Sequence, residues 1–149
     1  MKKILLCFLL LILITGCKDK NIVCKGSINN KTENYKLNSE YKIYYKGNYV
    51  VKIEKEDIYS SKIKEEMDYL EEINTLNLDN KKSIYGSYDY NIEKKDYKLK
   101  VNTEIIIKDL DIKQMILDDI ISRDYVVGNR IVKSGVIDYY ESKGLKCDI

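Results

Sequence analysis

From Tyr35 onward, apolar and polar residues alternate, and the alternation gives way only to stretches of helical spacing. Tyr35 to Tyr45 sets Leu37, Tyr41, Ile43 and Tyr45 at even steps. A period of two is that of a half-buried strand. Gly47-Asn48 reads as a hairpin turn, followed by a strand from Tyr49 to Ile58 with Val51, Ile53 and Lys55 on one face. Ile22 to Ile28 alternates more loosely, carries Cys24 and reads as an earlier strand closed by Asn29-Asn30-Lys31.

The rhythm changes at Ser60-Ser61. Ile63, Met67, Leu70, Ile73 and Leu76 recur at three and four, which predicts an amphipathic helix capped by one of the serines and ended by the polar run Asn77 to Lys82. Ser83 to Lys94 and Tyr97 to Lys108 return to alternation around a Lys94-Lys95-Asp96 turn. Asp111 can cap a second helix, with Gln114 as capping-box partner and Ile112, Met115, Ile116 and Ile120 as its stripe. A third helix is expected from Ser134, ending at Gly144 as its C′ glycine, and then a terminal strand from Leu145 to Ile149 carrying Cys147. Arg123 to Lys133 carries no periodic signal. Strands in adjacent runs interrupted by helices predict an α+β domain. The expectation is an antiparallel sheet of about five to six strands, with two to three helices on one face, built as a single domain from 22–149.

What precedes the first strand is of another kind. Met1-Lys2-Lys3 leads an apolar run from Ile4 to Ile14, closed by Thr15-Gly16-Cys17. A short positive region, an apolar core and small residues at a cut are the parts of a secretory signal. The run is too short to cross about 30 Å of hydrocarbon as a stable helix. The alternative is an anchor that is never cleaved. Lys18-Asp19-Lys20-Asn21 is a polar tether reaching roughly 15 Å.

The formal charge of +2 comes from Lys2 and Lys3; the rest balances 24 Lys+Arg against 24 Asp+Glu. Nucleic-acid binding normally shows as a basic excess, which is lacking. Cys7 lies in the leader, leaving Cys24 and Cys147 near the two ends of the domain. In an exported chain two such cysteines most simply form a disulfide, fixing the first and last strands side by side; free or buried thiols are the alternative.

Histidine is absent. That removes the serine triad, an imidazole-activated thiol, and the usual zinc ligand sets. No glycine-rich phosphate loop or nucleophile elbow is present. Asp109, Asp111, Asp118 and Asp119 could offer oxygens to calcium but lack the spacing of a calcium loop. Glu65, Glu66, Asp68, Glu71 and Glu72 crowd one helix rather than flanking a cleft, as glycoside hydrolysis requires. The chain therefore reads as no enzyme, with no cofactor and no metal. Fourteen tyrosines stand against one phenylalanine and no tryptophan. Tyr41, Tyr44, Tyr45, Tyr49, Tyr85, Tyr88, Tyr90 and Tyr97 fall on expected strands, and Tyr44 and Tyr88 are the candidate ligand-binding residues, since a phenol stacks on sugars or peptides. The competing reading makes tyrosine the core aromatic of this protein. Adjacent tyrosines such as Tyr44-Tyr45 cannot both face inward.

Ile14-Thr15-Gly16-Cys17 resembles the bacterial lipobox, which implies a diacylglyceryl group on the Cys17 sulfur and cleavage just before it. Two acyl chains give stable anchoring. The lipobox, the turn Tyr44-Tyr45-Lys46-Gly47-Asn48-Tyr49-Val50-Val51 and the ending Tyr140-Glu141-Ser142-Lys143-Gly144-Leu145-Lys146-Cys147 together resemble the YehR-like bacterial lipoproteins. That resemblance implies an α+β fold and a surface address, and it carries over no functional residues. The expected protein is thus lipid-anchored on the extracytoplasmic face of the cell membrane. Its domain would bind an envelope protein or a wall glycan, or else serve a structural or assembly role without a small ligand. A contiguous exposed tyrosine patch would favour binding, an evenly charged surface the structural role, and a deep pocket with a paired, desolvated carboxylate an enzyme instead.

Overall fold

A computed structural model describes residues 20–149. The leader, Cys7 and the lipidation candidate Cys17 lie outside the described residues. Among the described residues there are eight strands: β1 (Lys20–Asn30), β2 (Tyr35–Lys46), β3 (Tyr49–Ser61), β4 (Gly86–Lys95), β5 (Lys98–Leu110), β6 (Val126–Val127), β7 (Arg130–Ile131) and β8 (Lys146–Asp148). Three helices join them: α1 (Lys64–Tyr85), α2 (Ile112–Leu117) and α3 (Lys133–Ser142). Six strands form one sheet in the order β4-β5-β3-β2-β1-β8, every neighbour antiparallel. β6 and β7 make a separate small hairpin inside the stretch without a sequence signal, after a 3-10 turn at Arg123–Tyr125. The fold is α+β, as expected from the order of patterns.

The register sorts the sheet into two faces. Ile22, Ile43, Ile53, Ile105 and Tyr88 are successive cross-strand partners, and so share one side. With Leu99, Val101 and Ile107 they form the floor of the core, over which Met67, Leu70 and Leu78 of α1 and Val136 and Ile137 of α3 pack. The other side is a lattice of exposed ion pairs, including Lys25–Glu40 at 3.0 Å, Lys100–Glu56 at 2.7 Å and Lys52–Glu104 at 3.3 Å. Such pairs add little stability, but they keep this face in water.

Three sequence expectations need correcting. First, α1 does not stop at Asn77; it runs on to Tyr85 because Leu78 and Tyr85 continue the buried stripe, while the polar residues of that run lie outward. It ends at Gly86, whose φ of +85° is left-handed and whose added Cβ would lie 2.7 Å from the Asp109 carbonyl oxygen. Tyr85 is therefore helical and Tyr97 lies in the β4–β5 turn, so neither is a strand residue. Second, no serine caps α1: its N-cap is Ile63, and Ser61 Oγ accepts from the Ile63 N–H while donating to the Asn34 carbonyl. Third, Val51 does not share a face with Ile53. Tyr44 pairs with Lys52 but Tyr45 with Val50, so a bulge inserts Val51, which turns out while Val50 turns in. Other details hold. Asp111 caps α2 by accepting the Gln114 N–H at 3.0 Å, although the Gln114 side chain reaches Asp118 rather than closing the box. Gly144 follows α3 with φ +84°.

β8 pairs with β1 so that Cys147 lies opposite Cys24, and the two sulfurs are bonded at 2.01 Å. The bridge spans a sequence separation of 123, and closing so long a loop in the unfolded chain is worth about 4–5 kcal/mol on the chain-entropy account. Residues 20–149 hold both edges of the sheet, all the strands between, the covering helices and the bridge. This segment carries a continuous core, the property expected of a unit that folds on its own.

Candidate functional site

The site begins as a break in the apolar floor. One cross-strand row runs Tyr90, Thr103, Lys55, Tyr41, Cys24 and Cys147 from one edge of the sheet to the other. The next row places Asp57 beside Val101 and Ser39. Two charged residues thus stand at inward positions of β3, where isoleucine or valine would be ordinary.

They satisfy one another. Lys55 Nζ lies 2.6 Å from Asp57 Oδ2, and the Ser39 hydroxyl donates to Asp57 Oδ1 at 2.6 Å. The Asp57 side chain is only 3% exposed. Burial is the largest single influence on Lys55 and opposes its charge, but the Asp57 carboxylate and the Tyr41 phenol together outweigh it and hold the Lys55 pKa above the ordinary lysine value. Lys55 also lies over the Tyr41 ring, 5.3 Å from its centroid. On its other side Tyr41 packs against Tyr140 of α3, ring centroids 4.3 Å apart. Burial raises the phenol pKa of Tyr41 and of Tyr88, and that of Tyr140 further.

Above this row the helices do not close completely. A partly open cavity of about 270 Å³ lies between the sheet, α2, α3 and the second half of α1. Ile53, Ile105, Ile107, Met115, Ile131 and Val136 give it apolar walls. Tyr125 completes one side by lying flat on Gly135 of α3, where any Cβ would strike its ring. The residues with polar tips that line the cavity are Lys55, Lys81, Lys143, Thr103 and several tyrosines. Lys81 projects from α1; the protein mass around its ammonium pushes its pKa down, and the charge of Lys55 adds to the effect. Lys143 is the C-cap of α3, its ammonium 5.6 Å from the Tyr139 ring centroid.

The two candidate tyrosines do not meet. Tyr88 is 7% exposed on the inner face and walls the cavity. Tyr44 belongs to the outer face, donates to Glu54 at 2.8 Å and carries Lys52 4.5 Å above its ring. No single row of exposed tyrosines links them, and several tyrosines serve as core or wall aromatics. The aspartates weighed for calcium are otherwise engaged: Asp111 caps α2, and Asp118 accepts from Tyr85 and Gln114. Among the described residues no group of three acidic, Cys or His side chains could hold a metal ion. Of the carboxylates on α1, Asp68 and Glu71 both hold Lys94. Among the described residues no helix is long and apolar enough to cross a membrane.

Lys55, already placed on the face of Ile53, and Asp57, Lys81 and Lys143 were not expected as site residues. The signal for the first two was present, since charged residues in phase with Ile53 on an alternating strand have to be paired inside. Lys81 and Lys143 carried none, because their position depends on how two helices meet over the sheet.

A sheet of this order with its helices on one face defines the class: a single-layer antiparallel sheet covered on one side. Among solved structures, the NMR structure of the Escherichia coli YehR protein superposes with a TM-score of 0.56 at 18% identity, covering 88% of this chain and 93% of that one. An NMR structure of a protein from Streptococcus pneumoniae TIGR4 does so with a TM-score of 0.51 at 11% identity, covering 90% and 88%. The chain therefore has a YehR-like fold. No family model and no curated protein matches its sequence.

Proposed function

We propose that this chain is a bacterial lipoprotein, cleaved before Cys17 and held by a diacylglyceryl group on the extracytoplasmic face of the cell membrane. Its domain is a non-enzymatic binding module for an envelope component. The observation that carries the binding role is the cavity of about 270 Å³, with apolar walls and a few polar tips, which is the usual make-up of a small-ligand site. Its lining includes no carboxylate, imidazole or thiol; its ionisable groups are lysines and tyrosines, which can also hold the polar end of a ligand. The basic start, apolar run and Cys17 support the address. A structural or assembly role is the second reading, favoured by the evenly charged outer face of the sheet.

The test is to purify the protein from its host membrane, unfold it, and identify released small molecules by mass spectrometry. Wild type and the outer-face variant Tyr44→Ser are expected to release the same compound. Val136→Trp, which fills the cavity, is expected to release none. A compound lost only from Tyr44→Ser would move the site to the outer face, and a wild-type protein that releases nothing would leave the structural role.

A further inference from the structure

We infer that the cavity takes a small amphiphile with a single anionic head group: an apolar body against the isoleucine walls and a head met by the lysines at the rim. The inference rests on the binding role proposed above and names its ligand class.

Charge selects the head group. After the leader the chain is balanced, 24 cationic against 24 acidic residues. The cavity is not: Lys55, Lys81 and Lys143 line it, and no aspartate or glutamate does. Only Lys55 has a carboxylate partner, Asp57 in the next row of the same inward face, and that carboxylate is filled by Ser39 on its other oxygen. Among the described residues neither Lys81 nor Lys143 lies within salt-bridge distance of a carboxylate, although nine such pairs form elsewhere. Lys81, an exposed residue of α1, stands near the like charge of Lys55; the protein mass around its ammonium and that charge lower its pKa, and Asp57 offsets only part of this cost. An anion at the rim would relieve that cost, while a cationic ligand would add to it.

The apolar side excludes other anions. Inorganic phosphate or a sugar acid would leave the isoleucine walls wet or unfilled. A hydrocarbon body the size of the cavity covers them, and its burial supplies the affinity. Tyr41, Tyr88 and Tyr125 line the space as apolar rings with polar tips and tolerate either end of such a molecule. A carboxylate and a phosphate ester present the same chemistry to these lysines, so free acid and lipid-derived phosphate are separated by experiment.

The experiment is calorimetric titration of the segment Lys18–Ile149 with decanoate, decyl phosphate, decanol and decylamine. Decanoate, decyl phosphate or both are expected to bind about tenfold or more tightly than decanol, and decylamine more weakly still. Whichever anion binds more tightly identifies the source. Lys81→Met and Lys143→Met, both at exposed positions, should each weaken the anion several-fold and leave decanol unchanged. Added salt should weaken the anions alone. Equal binding of decanol and the anions, or anion binding untouched in both variants, overturns the inference. If no amphiphile binds, yet the membrane-purified protein still releases a compound that Val136→Trp loses, this inference fails and the binding module stands. If neither occurs, both fail.

Discussion

Lys55 and Asp57 show how a pair of charges can occupy a core. Asp57 is nearly sealed, and its two oxygens are taken by two donors, so removing the carboxylate leaves the ammonium of Lys55 unanswered among isoleucines. Breaking a buried pair from one side costs about 3–5 kcal/mol, and the 32% exposure of the Lys55 side chain lowers the expectation for Asp57→Ala to about 2–4 kcal/mol. The double variant Asp57→Leu/Lys55→Met should recover most of that loss in urea unfolding, because no unpaired charge remains. Titration gives a second prediction. Burial pushes the Tyr59 phenol up to about 12, against an ordinary value near 10. A raised tyrosine pKa means that the fold favours the protonated ring. Its contribution is complete below about pH 10 and disappears as pH climbs toward 12, a loss of about 2–3 kcal/mol at 1.36 kcal/mol per unit. Tyr41, Tyr88, Tyr140 and Lys55 shift in the same direction and steepen the fall. With no histidine to titrate, thermal unfolding should be nearly level from about pH 6 to 9 and drop above 10. A midpoint unchanged between pH 9 and 11.5 would contradict this burial.

At the scale of elements, α1 separates what the sequence disclosed from what it hid. Its apolar stripe was visible from Ile63 to Leu76, but the phase was set by Met67, Leu70, Leu78 and Tyr85, with Leu76 left 58% exposed. A polar run reads as a break when only its composition is counted. On a helix the same run can occupy the solvent side for a turn or more while one leucine keeps the buried line. Leu78→Ala should therefore cost about 2–4 kcal/mol, whereas Leu76→Ala should stay within about 0.5 kcal/mol in the same urea titration. The reverse order would mean that the helix ends where its polar run begins. The long strands were legible because alternation is local. The Val51 bulge was not, since it is a property of two strands and their register. The cavity lies beyond even that level: each wall residue looks like an ordinary core side chain in sequence, and only the gap between α1 and α3 makes them a site.

The whole molecule has a near end and a far end with respect to its proposed anchor. β1 opens at Lys20, only three positions after Cys17, and Lys20 pairs with Tyr45 beside the β2–β3 turn. That turn is therefore about 10 Å of chain from the lipid, while the β1–β2 turn at the other end of the eleven-residue strand lies roughly 35 Å further away. The near end is basic and aromatic. Arg130 stacks on Tyr49 at 4.1 Å and Lys133 on Tyr45 at 4.3 Å, with Lys46 exposed between the strands. Within a Debye length of an anionic leaflet each such cation gains about 1 kcal/mol, so this end should rest on the head groups. Limited digestion with a lysine-specific protease reads that orientation directly. In the segment Lys18–Ile149, cleavage after Lys31 and after Lys46 proceeds at rates set by the two turns alone. On membrane-bound full-length protein, cleavage after Lys46 should slow about tenfold while cleavage after Lys31 keeps its rate, because only the near turn is shielded. Replacing Cys17 by Ser should abolish fatty-acid labelling of the chain. Equal cutting at both lysines on the membrane would detach the orientation from the anchor, and a label that survives Cys17→Ser would remove the anchor itself.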